Sequence, residues 1–506
     1  MQLSTEVPAL RTTVLNEGPV ATDRSYVLYW MTAYRRTRWN YSLQRALDWC
    51  EELGKPLVVL EALRCNYRWA SDRLHAFAIQ GMLDQRRRLD RPGVTYLPFV
   101  ESEPSGGSGL LRRLAGDAAV VVSDDYPCFF LPAMVRAARQ QVDARFELVD
   151  SNGLLPMRAA DKVFGRAYDF RRFLQKNLPD HLTDAPAADP FEGRDLPRAW
   201  SLSHHDGDRW PVTDLDPYEE SLAPLADLPI DHSVRPVEGP EGGPSGESGG
   251  ESAAVERLAS FLDDRLSIYG ERRNQPEEKA ASNLSAHLHW GNISAHEVFA
   301  SLVDREDWDL GRLAAKANGS REGWWGMSGT AESFLDEFIT WRELGFNMCW
   351  QQRDFDRYES LPSWAQKTLE EHASDPREHV YTLEEFDAAQ THDDLWNAAQ
   401  RQLASEGRIH NYLRMLWGKK ILEWTEHPRD ALAVMIELNN RYALDGRDPN
   451  SYSGIFWVLG RYDRAWGPER PIFGKIRYMS SDNTARKVRV KDYLRRYSGD
   501  GALLFD

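Results

Sequence analysis

The chain has 506 residues, 42% of them hydrophobic and 28% charged, with a formal net charge of −16 at pH 7. One ordinary core does not serve that length, so at least two domains are expected, and the negative charge argues against indiscriminate binding of polyanions. No apolar run reaches transmembrane length and the N-terminus, MQLSTEVPALRTTV, lacks a charged-then-apolar leader, so no membrane association and a cytoplasmic location are expected.

In chain order, the first 150 or so residues alternate apolar runs with helical patterns. Strands are predicted at Tyr26–Trp30, Leu57–Leu60, Val94–Phe99, Ala118–Ser123 and Phe146–Val149, with amphipathic helices over Trp39–Leu53 and Ser71–Arg87. Short, continuously apolar strands separated by helices imply a parallel, Rossmann-like sheet covered on both faces. No GxGxxG follows the first strand, and GGSGLL at Gly106–Leu111 reads as a loop entering a helix. The four cysteines (Cys50, Cys65, Cys128, Cys349) and 13 histidines show no metal-ligand spacing, so reduced thiols and no metal are expected.

Pro, Asp and Gly accumulate from about residue 185 and end in the run GPEGGPSGESGGES, a connector or exposed loop. From Ala253 onward the pattern is helical. Thr382 with Glu385 forms a capping box, Thr391 with Asp394 a looser one, and Pro428 sits at a first helical turn. The expected organisation is an α/β domain over 24–155, a linker with the Gly/Pro/Ser-rich loop over 156–252, and an all-α domain over 253–506.

Several segments have the residue types for chemistry. In RRNQPEEKAASNLSAHLHWGNIS, Ser282, Asn283 and Ser285 can open a helix whose free N–H groups hold an anion beside Arg273, or they are a plain cap. Glu337 lies one turn before Trp341 on a face marked by Phe334 and Phe338, so its carboxylate is paired, protonated or faces a cavity. In NYLRMLWGKKILEW, Arg414, Trp417, Ile421 and Trp424 follow the helical period, which places Trp417 and Trp424 two turns apart, about 10 Å along the axis. Those indoles, with Trp396, are packing or a route for single electrons. ELNNRYALDGRDPNSYSGIFW is a polar turn beside aromatic residues that suits a planar heterocycle or any surface turn. Arg470–Arg496 carries nine Lys/Arg against two acids, a solvated face or a phosphate contact.

These segments, in this order, resemble the photolyase/cryptochrome superfamily, specifically the class II cyclobutane pyrimidine dimer photolyases. The matching pieces are YVLYWM, SNLSAHLHWGNIS, WREL, DPREHVYTLEEF, THDDLWNAAQ, MLWGKKILEW, ALDGRDPNSYSG and FGKIRYMS. The resemblance implies an antenna domain followed by a helical FAD-binding domain, and light-driven repair of cyclobutane dimers in DNA by electron transfer from reduced FAD. It implies that Tyr269, Arg273, Ser282, Asn283, Leu284 and Ser285 hold the FAD phosphates and their flanks. Arg414, Asn439 and Asp445 would lie at the flavin ring. Trp417, Trp396 and Trp424 would be the proximal, middle and terminal members of an electron relay. Glu337, Trp341 and Trp457 match the lesion pocket, with Tyr412 and Met415 lining it. The antenna would be an 8-hydroxy-deazaflavin or a folate, if one is bound, and a monomer suffices for lesion flipping.

The chain also departs from that pattern. Class II members usually carry RELSDNFC, and here the text is RELGFNMCWQQRDFDRYESLP. After Trp457 the family shows a glycine pair and His-Asp, whereas this chain has VLGRYD, one residue shorter, with Tyr462 in the histidine's place. Both departures fall on the substrate side. A blue-light sensor without repair activity, or a (6-4) photolyase using His287 or His289, are the competing expectations. The absence of a long tail before Asp506 and the presence of Glu337, Trp341 and Trp457 favour repair.

Overall fold

The computed structural model describes residues 6–201, 204–237 and 248–499. Residues 239–247 of the Gly/Pro/Ser-rich run lie outside the described residues. The chain forms two compact units: Met1–Asp161 with Lys176–Ser260 and Asn283–Arg312, and Lys162–Gln175 with Phe261–Ser282 and Leu313–Asp506. No helix among the described residues is long and apolar enough to cross a membrane.

The first unit is built on six strands: β1 (Thr12–Val14), β2 (Tyr26–Met31), β3 (Leu57–Leu63), β4 (Val94–Val100), β5 (Ala118–Asp124) and β6 (Arg145–Val149), in the order β1-β6-β5-β2-β3-β4. The last five are the predicted strands, and all their pairings are parallel. β1 pairs antiparallel with β6, Thr12 opposite Val149, so the sheet expected as parallel carries one antiparallel edge. Three residues are too few to show a period, which hid this strand from the sequence. Residues of β2 alternate between two buried layers. Tyr26, Leu28 and Trp30 join one, and Val27, Tyr29 and Met31 the other. That double burial is why the strands read as unbroken apolar runs.

Helices α1 (Tyr41–Leu53), α2 (Asp72–Leu89), α3 (Leu110–Gly116) and α4 (Leu131–Arg139) cover the sheet. Asn40 caps α1 by accepting from the Ser42 and Leu43 amides, and Gly54, at φ +61°, ends it. The strand order reverses between β5 and β2. There the Asp124 carboxylate accepts the amides of Thr32, Ala33 and Tyr34, at 2.8, 2.8 and 3.0 Å, which folds the loop after β2.

The second unit is helical, and among its described residues only isolated β-bridges occur. The helices that carry candidate residues are α5 (Leu266–Arg272), α6 (Gly329–Leu335), α7 (Arg342–Gln351), α8 (Asp394–Glu406), α9 (Asn411–Trp424), α10 (Pro428–Tyr442) and α11 (Pro449–Val458). A π-helical turn, Asp336–Trp341, joins α6 to α7. The capping box at Thr382 and Glu385 forms as read. The cap of α8 differs from expectation. Asp393 accepts from the Trp396 amide at 2.9 Å, while Thr391 and Asn397 bond each other and brace the cap.

Candidate functional site

The aromatic core of the second unit is the row Trp417, Trp396, Trp424. All three side chains are buried. Trp396 on α8 lies between two indoles on α9. Its ring is 6.5 Å from Trp417, parallel within 4°, and 6.1 Å from Trp424, inclined at 68°. The arrangement follows from helix geometry: two tryptophans two turns apart leave a gap that a third on the neighbouring helix fills. The Trp396 indole N–H donates to the Trp417 carbonyl at 3.0 Å, and the Trp417 N–H to Gln400 Oε1 at 3.0 Å. An indole N–H only donates, so the oxygen of Gln400 must face it.

One turn before Trp417, Arg414 donates from Nη2 to Asp445 Oδ1 and Oδ2 at 3.1 and 3.3 Å. Asp445 belongs to the polar turn between α10 and α11. Asn439, buried on α10, donates to Ser451 Oγ at 2.7 Å and Asn440 Oδ1 at 3.2 Å. Among the described residues, Arg414 Nε, Gln400 Nε2 and His410 Nδ1, all shielded from solvent, meet no hydrogen-bond partner. Burial pushes the His410 imidazole down to about 4, so it is neutral at pH 7. An unpaired buried donor is costly, and the Arg414 guanidinium suits a bound group that brings an acceptor.

Glu337 sits in the π-helical turn, a local widening that re-aims side chains. Its Oε1 is 2.5 Å from Arg273 Nη1, so the sequence's paired option is realised, with Arg273 as the arginine. Arg273 also lies over the Tyr269 ring at 5.6 Å. Burial, and then the Glu337 charge, push the Tyr269 phenol up to about 12. Phe334 and Phe338 stack at 5.3 Å behind them.

Trp341, at the end of the same turn, meets Tyr462 edge-to-face at 6.5 Å. Trp457 on α11 has Lys419 Nζ 5.1 Å from its ring centroid on one helix and the Arg477 guanidinium at 5.3 Å. Tyr412 and Met415 are half-buried on α9. Met415 Cε lies close to α11, 3.8 Å from where a side chain on Gly454 would begin.

Ser282 belongs to the second unit, whereas Asn283, Leu284 and Ser285 belong to the first. Asn283 has φ +56°, a conformation asparagine tolerates. Ser285 does open a helix, but it runs only to His289, and Leu284 at the cap position makes no side-chain bond. His287 is buried in the first unit, where desolvation pushes it down to about 3. His289 Nδ1 is 3.4 Å from the Tyr126 hydroxyl.

The basic C-terminal stretch is largely neutralised. Lys475 pairs with Glu469, Arg477 with Asp463, Arg489 with Glu278, Arg495 with Asp492 and Arg496 with Glu406. Arg470 lies over Tyr478, and Arg486, Lys487 and Lys491 are exposed. Among the described residues no three His, Cys, Asp or Glu gather as a metal site, and the four cysteines are buried.

Sequence reasoning missed Gln400, Lys419 and Arg461. Gln400 had one usable signal: it lies four residues after Trp396, on the same helix face.

No family model matches the chain. A deoxyribodipyrimidine photo-lyase of Methanothermobacter thermautotrophicus is 35% identical over 477 residues, 94% of this chain and 95% of that protein. One of Arabidopsis thaliana is 32% identical over 92% of this chain and 88% of its own length, and one of Potorous tridactylus 31% over 93% and 81%. Among solved structures, a class III photolyase of Agrobacterium tumefaciens matches with TM-score 0.66 at 18% identity, over 94% of this chain and 86% of its own. A Synechocystis cryptochrome matches with TM-score 0.64 at 15% identity, over 94% and 88%.

Proposed function

Because the chain belongs to the deoxyribodipyrimidine photo-lyase family, we propose that its second unit binds FAD and repairs DNA by the following division of labour. The protein is a DNA-repair lyase that splits cyclobutane pyrimidine dimers. The partnerless buried Arg414 Nε supports a cofactor that brings an acceptor, as a flavin does. When bound, fully reduced FAD supplies, under blue light, the electron that opens the cyclobutane ring and takes it back.

The protein's own residues orient and tune. Arg414, held by Asp445, and Asn439, held by Ser451, present a positive charge and an amide to the flavin ring. Tyr269, Arg273 and Ser282 serve the phosphates and their flanks. Glu337, Trp341 and Trp457 receive the flipped dimer, with Tyr412 and Met415 beside them. The ion pair between Arg273 and Glu337 supports a link between the proposed cofactor-side and lesion-side residues. The antenna site, for an 8-hydroxy-deazaflavin, a folate or no chromophore, belongs to the first unit. The protein acts as a cytoplasmic monomer of the class II kind.

The observation that carries this reading is the row of three buried indoles, two of them parallel within 4°. Indole rings at that spacing pass single electrons readily, and bulk packing alone does not require them to be parallel. Trp417, Trp396 and Trp424 therefore return the flavin to its reduced state. The deciding experiment mixes chemically reduced holoprotein with a dimer-containing oligonucleotide under blue light. Dimer loss is expected; dimers that persist with reduced FAD bound refute repair. Separately, Trp417→Phe is expected to abolish photoreduction by a thiol while repair by pre-reduced protein stays within about threefold.

A further inference from the structure

We propose that Gln400 is a positioning residue of the electron relay: it holds the Trp417 indole N–H on an oxygen that cannot take its proton, so the hole moves on instead of being trapped. The inference rests on the relay proposed above. Three observations carry it. Trp417 Nε1 donates to Gln400 Oε1 at 3.0 Å. Gln400 is fully buried, as are Trp417 and Trp396, so no bulk water replaces the amide as proton acceptor. The Gln400 Nε2 on the other side of the same amide is buried without a partner. Burying an unpaired amide donor is unfavourable, and a leucine or methionine of similar size would avoid that cost. A glutamine kept there despite it implies that its oxygen has a task.

The chemistry of the task follows from what one-electron oxidation does to an indole. Loss of one electron from Trp417 to a light-excited oxidised flavin would leave an indole radical cation whose N–H is far more acidic than that of the neutral indole. Given a base, the N–H bond breaks, the proton moves to that base, and the remaining neutral radical is a weaker oxidant. An amide oxygen is not a base at neutral pH, so the N–H bond stays intact. The cation then takes an electron from Trp396, whose own N–H donates to the Trp417 carbonyl, again not a base. Trp424 reduces Trp396 in turn, and an external thiol supplies the last electron. The two inner members of the row are thus both bonded to non-basic oxygens, and the parallel pair is free to exchange charge without proton movement.

The test uses FAD-loaded protein and time-resolved absorption, which separates the indole radical cation from the neutral radical. A Trp396→Phe background isolates Trp417 by removing its donor. There, the Trp417 radical is expected to remain a cation until the electron returns, with equal lifetimes in H2O and D2O. Adding Gln400→Glu supplies a base in the same place. A neutral radical is then expected, outliving the cation by about tenfold or more, because each pK unit of proton affinity is a tenfold population ratio. In the otherwise native protein, Gln400→Glu should cut steady-state photoreduction by a similar factor. Repair by chemically reduced protein should be unchanged. A neutral radical at Trp417 with native Gln400, or Gln400→Glu passing the hole at the native rate, overturns the proposal. If Gln400→Glu does not fold, the native-Gln400 spectrum and isotope comparison still decide it. Failure of the relay itself would show differently, as photoreduction that survives Trp417→Phe.

Discussion

Lys419 shows how far burial rewrites one residue. Next to it, Lys420 keeps an ordinary surface pairing with Glu423 at 2.7 Å. Lys419 is enclosed, with its Nζ 2.5 Å from the Val458 carbonyl and its charge over the Trp457 ring. Desolvation pulls the amine from its ordinary 10.5 down to about 7; Asp463 offsets this in part and Arg477 adds to it. Between about pH 7 and 10.5 the unfolded chain holds a proton that the folded chain lacks, so stability rises with pH across that window. Below about pH 7 both states are charged and the desolvation cost is fully felt. Lys419→Met is expected to raise stability at pH 6 by on the order of a few kcal/mol and to flatten the rise in melting temperature from pH 7 to 10. A slope equal to that of the native protein would contradict the burial argument. Because Trp457 loses the cation at its face, the same variant should bind a dimer-containing oligonucleotide about two- to tenfold more weakly.

At the scale of elements, the two departures from the class II wording prove to be one structural feature. Gly345 replaces the serine of that wording on α7. A Cβ there would lie 2.8 Å from Ser453 Oγ and 2.9 Å from the Pro449 carbonyl, so α7 and α11 approach too closely for any side chain. Downstream, Arg461 donates to the Phe355 carbonyl at 2.7 Å and to Ser360, and its guanidinium lies 3.7 Å from the Phe456 centroid. The altered segment after α7 is thereby tied to the shortened corner after α11. Gly460, at φ +105°, makes the turn, and Tyr462, at φ +66°, swings its ring onto Trp341. A tyrosine held in the left-handed region costs on the order of 1 kcal/mol or more, and neighbouring contacts must hold it there. Gly345→Ser, which restores the family residue, is expected to destabilise by about 1–3 kcal/mol in denaturant unfolding. A neutral or stabilising result would mean that α7 and α11 separate freely. Arg461→Ala should raise the KM for dimer-containing DNA more than it lowers kcat, since it loosens the corner that carries Tyr462 without touching the flavin-side residues.

For the molecule as a whole, charge decides how DNA is met. A net charge of −16 leaves no general affinity for a polyanion, so contact must be local. The basic C-terminal stretch is less basic than it reads, because five of its nine cations are matched by carboxylates, three of them distant in sequence: Glu278, Glu406 and Asp463. Arg486, Lys487 and Lys491 are exposed and are the candidates for phosphate contact. Replacing Arg486 and Lys487 by glutamate should weaken binding equally for damaged and undamaged DNA. It should also lower the slope of log affinity against log salt by about one per lost contact. An effect confined to damaged DNA would place them at the lesion instead.

The five central strands, the helix Asn411–Trp424 with its indole face and the capping box at Thr382 were legible from the sequence because each depends on local period or local hydrogen bonding. So was the family, whose motifs span both units. Three things were decided only in three dimensions. The antiparallel edge β1 exists because β6 offers it a partner. Glu337 found Arg273, one of several arginines that the sequence left open. The distance between Trp396 and Trp417 depends on how α8 packs against α9, as does the amide of Gln400 beneath them. Periodicity says which residues share a face. It does not say what that face meets, because partners far apart in sequence are chosen by packing, and burial then sets their charge and their chemistry.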